Sequence, residues 1–527
     1  MQEVDSTEEA SQQSLSNNKG VVRAATILAI GNVISRVLGL VRDQVMTHYF
    51  GARLTSAYEA AALIPNNLFD AVKTGLVDSA LVPVFTDLAS RENREQLWSA
   101  VSAFLSVMVV ILAGVVFVID RFHRQVGSAI GVNNFDDPEL AELAFGLMRL
   151  AVPAVLLLSM ASVLTALLYA LKRFTIPAFL PAIFNGSIVI AAFLRPNQVS
   201  SLVFGLLCGA LLQIIIQLPA LRDANLRWSF NPRHPAIGRI VTLFAPIVGV
   251  LLVDQVVRTI SYRLAIGTGD ASLNYMRRAT TLFQFPMGLV VTALSIAILP
   301  VLAEQATREL SDFKTTLAGG IRLVLVLILP ATFGLFALAM PIVDLLFGHG
   351  EYTAFDALRT SQVLQVYLIG LPFAAIDQML IFGSYARKDT LSPSIVGVIS
   401  MIVNIGTAYL LIDQLGLFSL MVADAVKHIV HTALMTILLQ RQVGGLRGFS
   451  ITPTLLKALV AAVATGSAAW GISQLVSNQL PYNTLSEILA VSLSGLTGLV
   501  VYLGCVYFLK IEEAKALIGR IRARRST

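Results

Sequence analysis

Several charged side chains in this sequence lie inside long apolar runs. Charge is costly there, so each instance points to a ligand, a partner or a wet cavity. The segment RVLGLVRD carries Arg36, Arg42 and Asp43, with Arg36 and Asp43 two helical turns apart and so on one face. A later run, VDQVVRTISYRLA, holds Asp254, Arg258 and Arg263. Asp70, Lys73 and Asp78 surround Gly75, while Arg277 and Arg278 are adjacent. Asp424, Lys427, His428 and His431 follow one another at i, i+3, i+4 and i+7, a single helical stripe.

The chemistry these types support is specific. Guanidinium groups grip phosphate oxygens in a bidentate way, so arginines facing one cavity suit a diphosphate. A stripe with two histidines suits relaying protons or holding a cation, because imidazole titrates near neutral pH. Asn404 and Thr407 share a face and offer oxygen ligands for a sodium ion. Each group also has a plainer structural reading. Arg42 and Asp43 can snorkel at a helix end, Asp254 and Arg258 can pair across one turn, and Arg277 and Arg278 can belong to a short loop. Hydrogen bonding between helices would account for Asp424 with Lys427 or His428, and for Asn404 and Thr407.

The elements that must position these groups are membrane helices. Hydrophobic residues make up 56% of the chain and charged residues 13%, and mean hydropathy is +0.75. A soluble globular chain carries about 25% charged residues. About fourteen runs are long enough to span the roughly 30 Å hydrocarbon core, which predicts an all-α polytopic membrane protein. Roughly 24 Lys and Arg fall on one side of that topology against about five on the other, which puts both termini in the cytoplasm. The net charge of +6 is therefore a topology and lipid-surface signal, not a nucleic-acid one. The polar segment over 1–20 lacks the basic start of a signal peptide and reads as a disordered tail. Cys208 and Cys505 both sit in apolar spans and support no disulfide framework or metal site. No phosphate-cradling glycine loop, nucleophile elbow or zinc motif is present, so no cofactor is expected.

A repeat organises the helices. PVFTDLASRE, Pro83 to Glu92, returns as PVLAEQATRE, Pro300 to Glu309, about 217 residues later. Tyr169-Ala170 with Lys172 and Pro177 returns as Tyr385-Ala386 with Lys388 and Pro393 at nearly the same offset. We read two parallel six-helix lobes, 21–222 and 236–442, then two extra helices over 453–510 and a basic cytoplasmic tail over 511–527. The symmetry pairs Arg42 with Arg258 across a cavity.

RVLGLVRD, the following YFGA, the IPN segment with its later LVPVF, ALKRFTIPAFLPAIFN and FGHGEYTAFDA together resemble the MurJ (MviN) family of lipid II flippases, over at least residues 30–440. That family lies within the larger group of multidrug, oligosaccharidyl-lipid and polysaccharide exporters. The resemblance implies a central cationic cavity, a lipid-tail groove formed by the last two helices, and cavity roles for Arg36, Arg42 and Asp43. Other positions depart from the family pattern. Ser56, Thr74 and Ser261 replace acids, Phe69 and Asp70 replace paired arginines, and Thr281 replaces another arginine. We expect Lys73, Arg258, Arg277 or Arg278 to supply the missing charge.

The function expected is translocation of an undecaprenyl-diphosphate-linked peptidoglycan precursor, lipid II, across the bacterial inner membrane by alternating access. Substrate binding is assigned to Arg36, Arg42, Asp43, Lys73, Arg258, Arg277 and Arg278, and ion coupling to Asp254, Asn404, Asp424 and His428. Without a nucleotide motif, the driving force would be the membrane potential, Na+ or H+, worth about 2.3 kcal/mol per charge per 100 mV. The expected partners are the lipid substrate, membrane lipids and the cell-wall synthesis machinery. Three readings compete with this one: a flippase for another polyprenyl-linked saccharide, a drug or solute antiporter, and a scaffold with a degenerate cavity.

Overall fold

A computed structural model describes residues 26–73, 75–90, 93–249, 251–445, 448–481 and 483–513 of the protein. The tail predicted over 1–20, nearly all of that over 511–527, and Arg91 and Glu92 of the repeat lie outside the described residues. Among those described, every regular element is helical.

The chain divides into two units, Met1–Val256 and Val257–Thr527. The first holds α1 (Gln2–Asp70), α2 (Val82–Leu88), α3 (Arg94–Arg121), α4 (His123–Ile130), α5 (Pro138–Ala151), α6 (Ala154–Ala170), α7 (Thr175–Leu194), α8 (Ser200–Gln217) and the first part of α9 (Pro235–Ile266). The second holds the rest of α9, then α10 (Ser272–Pro286), α11 (Ala293–Arg308), α12 (Leu310–Ala337), α13 (Ala339–Phe347), α14 (Ala354–Leu368), α15 (Leu371–Ala386), α16 (Leu391–Leu415), α17 (Phe418–Val443), α18 (Ile451–Gln479) and α19 (Thr484–Phe508). Among the described residues, ten helices are long and apolar enough to cross a membrane, or up to twelve with two bent pairs counted as one span each. α1 is divided in two at Gly51. Gly51 takes φ 62°, a left-handed conformation that glycine adopts without a Cβ clash.

In the first unit α1 packs on α5, α6 and α7, and α7 packs on α8. Gly31 of α1 meets the Ala178 backbone of α7 so closely that no Cβ fits between them. The absent side chain lets α1 and α7 approach, and that crossing carries the charged site. In the second unit α17 packs on α14, α15 and α16, and α18 packs on α12 and α19.

Both sequence echoes have backbone counterparts. α6 and α15 each close with a lysine in the left-handed region, Lys172 at φ 59° and Lys388 at φ 63°. The next amide reaches back to a carbonyl of the last turn in each case, Arg173 to Leu168 at 2.8 Å and Asp389 to Ser384 at 3.0 Å. Ahead of the repeated Pro-Val segments, the helices loosen into π-helix, over Ala71–Leu81 in one unit and Met287–Thr292 in the other. Such segments widen the helix and re-aim side chains.

Candidate functional site

A cavity of about 450 Å³ opens in the first unit, between α1, the π segment, α6, α7 and α8. Arg42 lies on its wall, its side chain 24% exposed, beside Asp43 at 3%. Its Nε and Nη2 donate to Asp43 Oδ1 at 3.1 and 2.7 Å, and its Nη1 donates to Asn185 Oδ1 at 3.0 Å. Asn185, on α7, in turn donates through Nδ2 to the Ser35 carbonyl of α1 at 3.2 Å. The guanidinium plane is therefore fixed by partners from two helices. Five N–H donors in a rigid fork leave some to spare for an anionic ligand.

The π segment supplies the opposite wall. Lys73 and Asp78 both line the cavity, and the Lys73 ammonium sits 5.8 Å from the centre of the Phe69 ring. Tyr169, Ser162, Thr165, Asn32 and Gln213 complete a polar lining among apolar neighbours. Gln213 is tied to the Leu180 carbonyl at 3.3 Å, and Thr165 donates to Gln217 at 3.1 Å. This arrangement offers a held cation, a second cation and one carboxylate to a ligand rich in phosphate and hydroxyl groups.

The other sequence-derived positions do not all gather here. Arg36 is half-buried and outside the lining. Arg258 is exposed on α9, and Asp254 is half-buried four residues before it. Arg277 donates to the Tyr262 hydroxyl at 3.0 Å. Arg278 is 2% exposed and closed in against the Phe347 ring, its guanidinium 6.0 Å from the ring centre. A headgroup has no access to it in this conformation.

Of the proposed ion-coupling residues, Asp424 and His428 share a second polar group in the second unit, and Asp254 belongs to the first unit. The Lys427 ammonium bonds to Asp424 Oδ1, and His428 Nε2 lies 3.5 Å from the other oxygen. His431 Nδ1 bonds to Asp377 Oδ1 at 2.5 Å. Asn404, on α16, is 8% exposed. Among the described residues, no group of three or more His, Cys, Asp or Glu is placed to hold a metal ion.

Sequence reasoning missed Asn185 and Asp377. Asp377 was findable by the rule that found Asp424, because it is a lone acid in the apolar run LPFAAIDQML. Asn185 carries no charge and follows no periodicity, so only the fold reveals its role.

A third feature is an apolar groove of about 310 Å³ on α12, α18 and α19, lined by Leu327, Pro330, Gly334, Ala469, Gly498 and Leu499 among others. Gly466 lies against Phe333 of α12 and Gly498 against Thr465 of α18, so small residues set the close packing.

Comparison with known proteins places this architecture. The solved chain described as "Lipid II flippase MurJ, inward closed conformation" superposes with a TM-score of 0.77 at 21% identity, covering 92% of this chain and 99% of that one. An inward-facing multidrug resistance MATE transporter of the MOP superfamily superposes at 0.68 with 12% identity, covering 80% of this chain and 99% of that one. The fold is thus the helical one that these two solved chains share. Sequence narrows the class. "Probable lipid II flippase MurJ" of Bdellovibrio bacteriovorus is 28% identical over 96% of this chain and 97% of its own length. The protein of the same description from Vibrio cholerae is 29% identical over 95% and 98%. The family model "Lipid II flippase MurJ" matches residues 46–491, and the chain belongs to that family.

Proposed function

We propose that this chain is a lipid II flippase of the bacterial inner membrane, moving the undecaprenyl-diphosphate-linked precursor from the inner to the outer leaflet by alternating access. Membership in the family supports the activity. The observation that carries the site assignment is Arg42, held by Asp43 and Asn185 on the wall of a polar cavity. An arginine fixed in advance loses little entropy when it binds a diphosphate. Lys73 enters the same cavity and stands in for the arginines replaced by Phe69 and Asp70. The apolar groove on α12, α18 and α19 suits a polyprenyl tail. The bias of Lys and Arg supports cytoplasmic termini.

The test is to deplete the protein and measure which lipid-linked intermediate accumulates in the inner leaflet. This reading predicts lipid II. A drug exporter or a scaffold would trap no such precursor.

A further inference from the structure

Resting on the flippase reading, we propose that Asp78, with Lys73 and Tyr169, forms a sugar-reading subsite in the first-unit cavity, which selects cargo by the sugar joined to the diphosphate. Arg42 grips the phosphates, and Asp78 accepts hydrogen bonds from the sugar.

The charge balance makes Asp78 the anomaly. Arg42 is offset by Asp43 at 2.7 Å, and Lys73 shares the cavity with Asp78, so these two cations and two carboxylates sum to zero. A site that only captured a diphosphate would bind it better without Asp78, because like charges repel strongly in a cavity walled by apolar groups. A carboxylate in an apolar run such as AVKTGLVDSAL is also costly, and it calls for a donor. Among the described residues, the Asp78 side chain makes no hydrogen bond and no ion pair within 4 Å, although the Lys73 charge reaches it. The Tyr169 hydroxyl, which feels the Asp78 charge, has no hydrogen-bond partner among them either. Both groups line the cavity, so their unused hydrogen-bonding capacity faces the cargo. Water solvates them while the cavity is open, and sugar hydroxyls replace that water when cargo enters.

The backbone explains how these groups converge. In a regular α-helix Lys73 and Asp78, five residues apart, would diverge by about 140°. Ala71–Leu81 is a π-helix, whose i→i+5 closure brings such positions toward one face. Both side chains are exposed, and both line the one cavity. Tyr169 comes from the last turn of α6, its ring centre 5.9 Å from that of Phe174. An ionised carboxylate only accepts, whereas a phenol both donates and accepts, so the two together match hydroxyls that do both. The cavity of about 450 Å³ is near the lower end for ligand sites, about 300–1,000 Å³. It suits a diphosphate with its adjoining sugar.

The test measures binding of two fluorescent short-chain probes by the full chain in detergent, a bare polyprenyl diphosphate and the same lipid carrying one N-acetylhexosamine. Asp78→Ala should weaken binding of the sugar-bearing probe by roughly tenfold or more, as for hydrogen bonds to a charged group, while holding or strengthening that of the bare one. Tyr169→Phe should weaken the sugar-bearing probe by about threefold and leave the bare one unchanged. A merely structural role would move both probes together, and retained binding of the bare probe shows that a variant is folded. If Asp78→Ala binds neither probe, Asp78→Asn and Tyr169→Phe decide by the same contrast. Undiminished binding of the sugar-bearing probe by Asp78→Ala would overturn the proposal, as would an equal loss of both probes in Tyr169→Phe. Flipping in liposomes is read separately: if the parent chain binds both probes and moves neither, the flippase reading fails, and the binding contrast still decides the subsite.

Discussion

The two π segments share a place in the repeat and differ in chemistry. In the first unit, Ala71–Leu81 turns Lys73 and Asp78 into a cavity. In the second, the offset of the Pro-Val segments puts Val290 and Ser295 at the same positions, and Ser295 is fully buried with its hydroxyl 3.3 Å from Met379 Sδ. The ion pairs show the reverse bias. The Tyr-Ala echo sets Asp377 of α15 against Ala161 of α6, and α8 contains no Asp, Glu, Lys, Arg or His where α17 has four in its stripe. The helix stops and the π segments recur in both units, whereas the charges do not. The division is of side chains: the cavity with Arg42 and Lys73 lies in the first unit, and the buried Asp377–His431 and Asp424–Lys427 pairs lie in the second.

Six substitutions probe that division, from the largest expected effect to the smallest. Arg42→Ala removes a charge-assisted grip and should lower transport of the lipid-linked probe by at least about thirtyfold, in line with roughly 2 kcal/mol for such a contact. Asp424→Asn leaves the Lys427 ammonium half-buried without its carboxylate. It should lower stability in detergent by up to about 2 kcal/mol, read as an earlier unfolding midpoint, with probe binding retained. Lys73→Ala should weaken probe binding severalfold, by about 1 kcal/mol, whereas Val290→Lys at the matching position should add no affinity. Replacing Lys172 or Lys388 by Gly relieves a left-handed side chain and should raise stability by up to about 1 kcal/mol, equally in the two halves.

A pH effect reports on each half separately, outside the membrane spans. Hydrogen bonds from Arg173 hold the Asp223 carboxyl below its ordinary value, and those from Ser392 do the same for Asp389. Both contributions are present above the unfolded carboxyl pKa of about 3.9 and are lost as pH falls through the depressed folded values. Thermal scans at falling pH should show each loss disappear in Asp223→Asn or Asp389→Asn respectively.

Much of this was legible in the sequence, and the rest was not for physical reasons. Hydropathy revealed the helices because a bilayer demands long apolar runs. The repeat predicted that the Tyr-Ala-x-Lys segments are equivalent, and both end a helix in one way. Arg42 and Lys73 were visible as charges in apolar runs, and both line the cavity. Burial was not visible: Arg277 and Arg278 are neighbours in sequence, yet one reaches a tyrosine hydroxyl and the other is closed in against Phe347. A difference of one residue turns a helical side chain by about 100°, and only packing says what it meets. Long-range partners such as Asn185 for Arg42, 143 residues away, leave no local trace.

The central claim is that the first-unit cavity holds the diphosphate through Arg42. Its most direct test is flipping of the labelled lipid-linked probe by the reconstituted chain, with Arg42→Ala and Arg42→Lys compared against Arg258→Ala. The account predicts near-complete loss for Arg42→Ala, partial activity for Arg42→Lys, and a smaller loss for Arg258→Ala. Flipping by Arg42→Ala at the parent rate would contradict it.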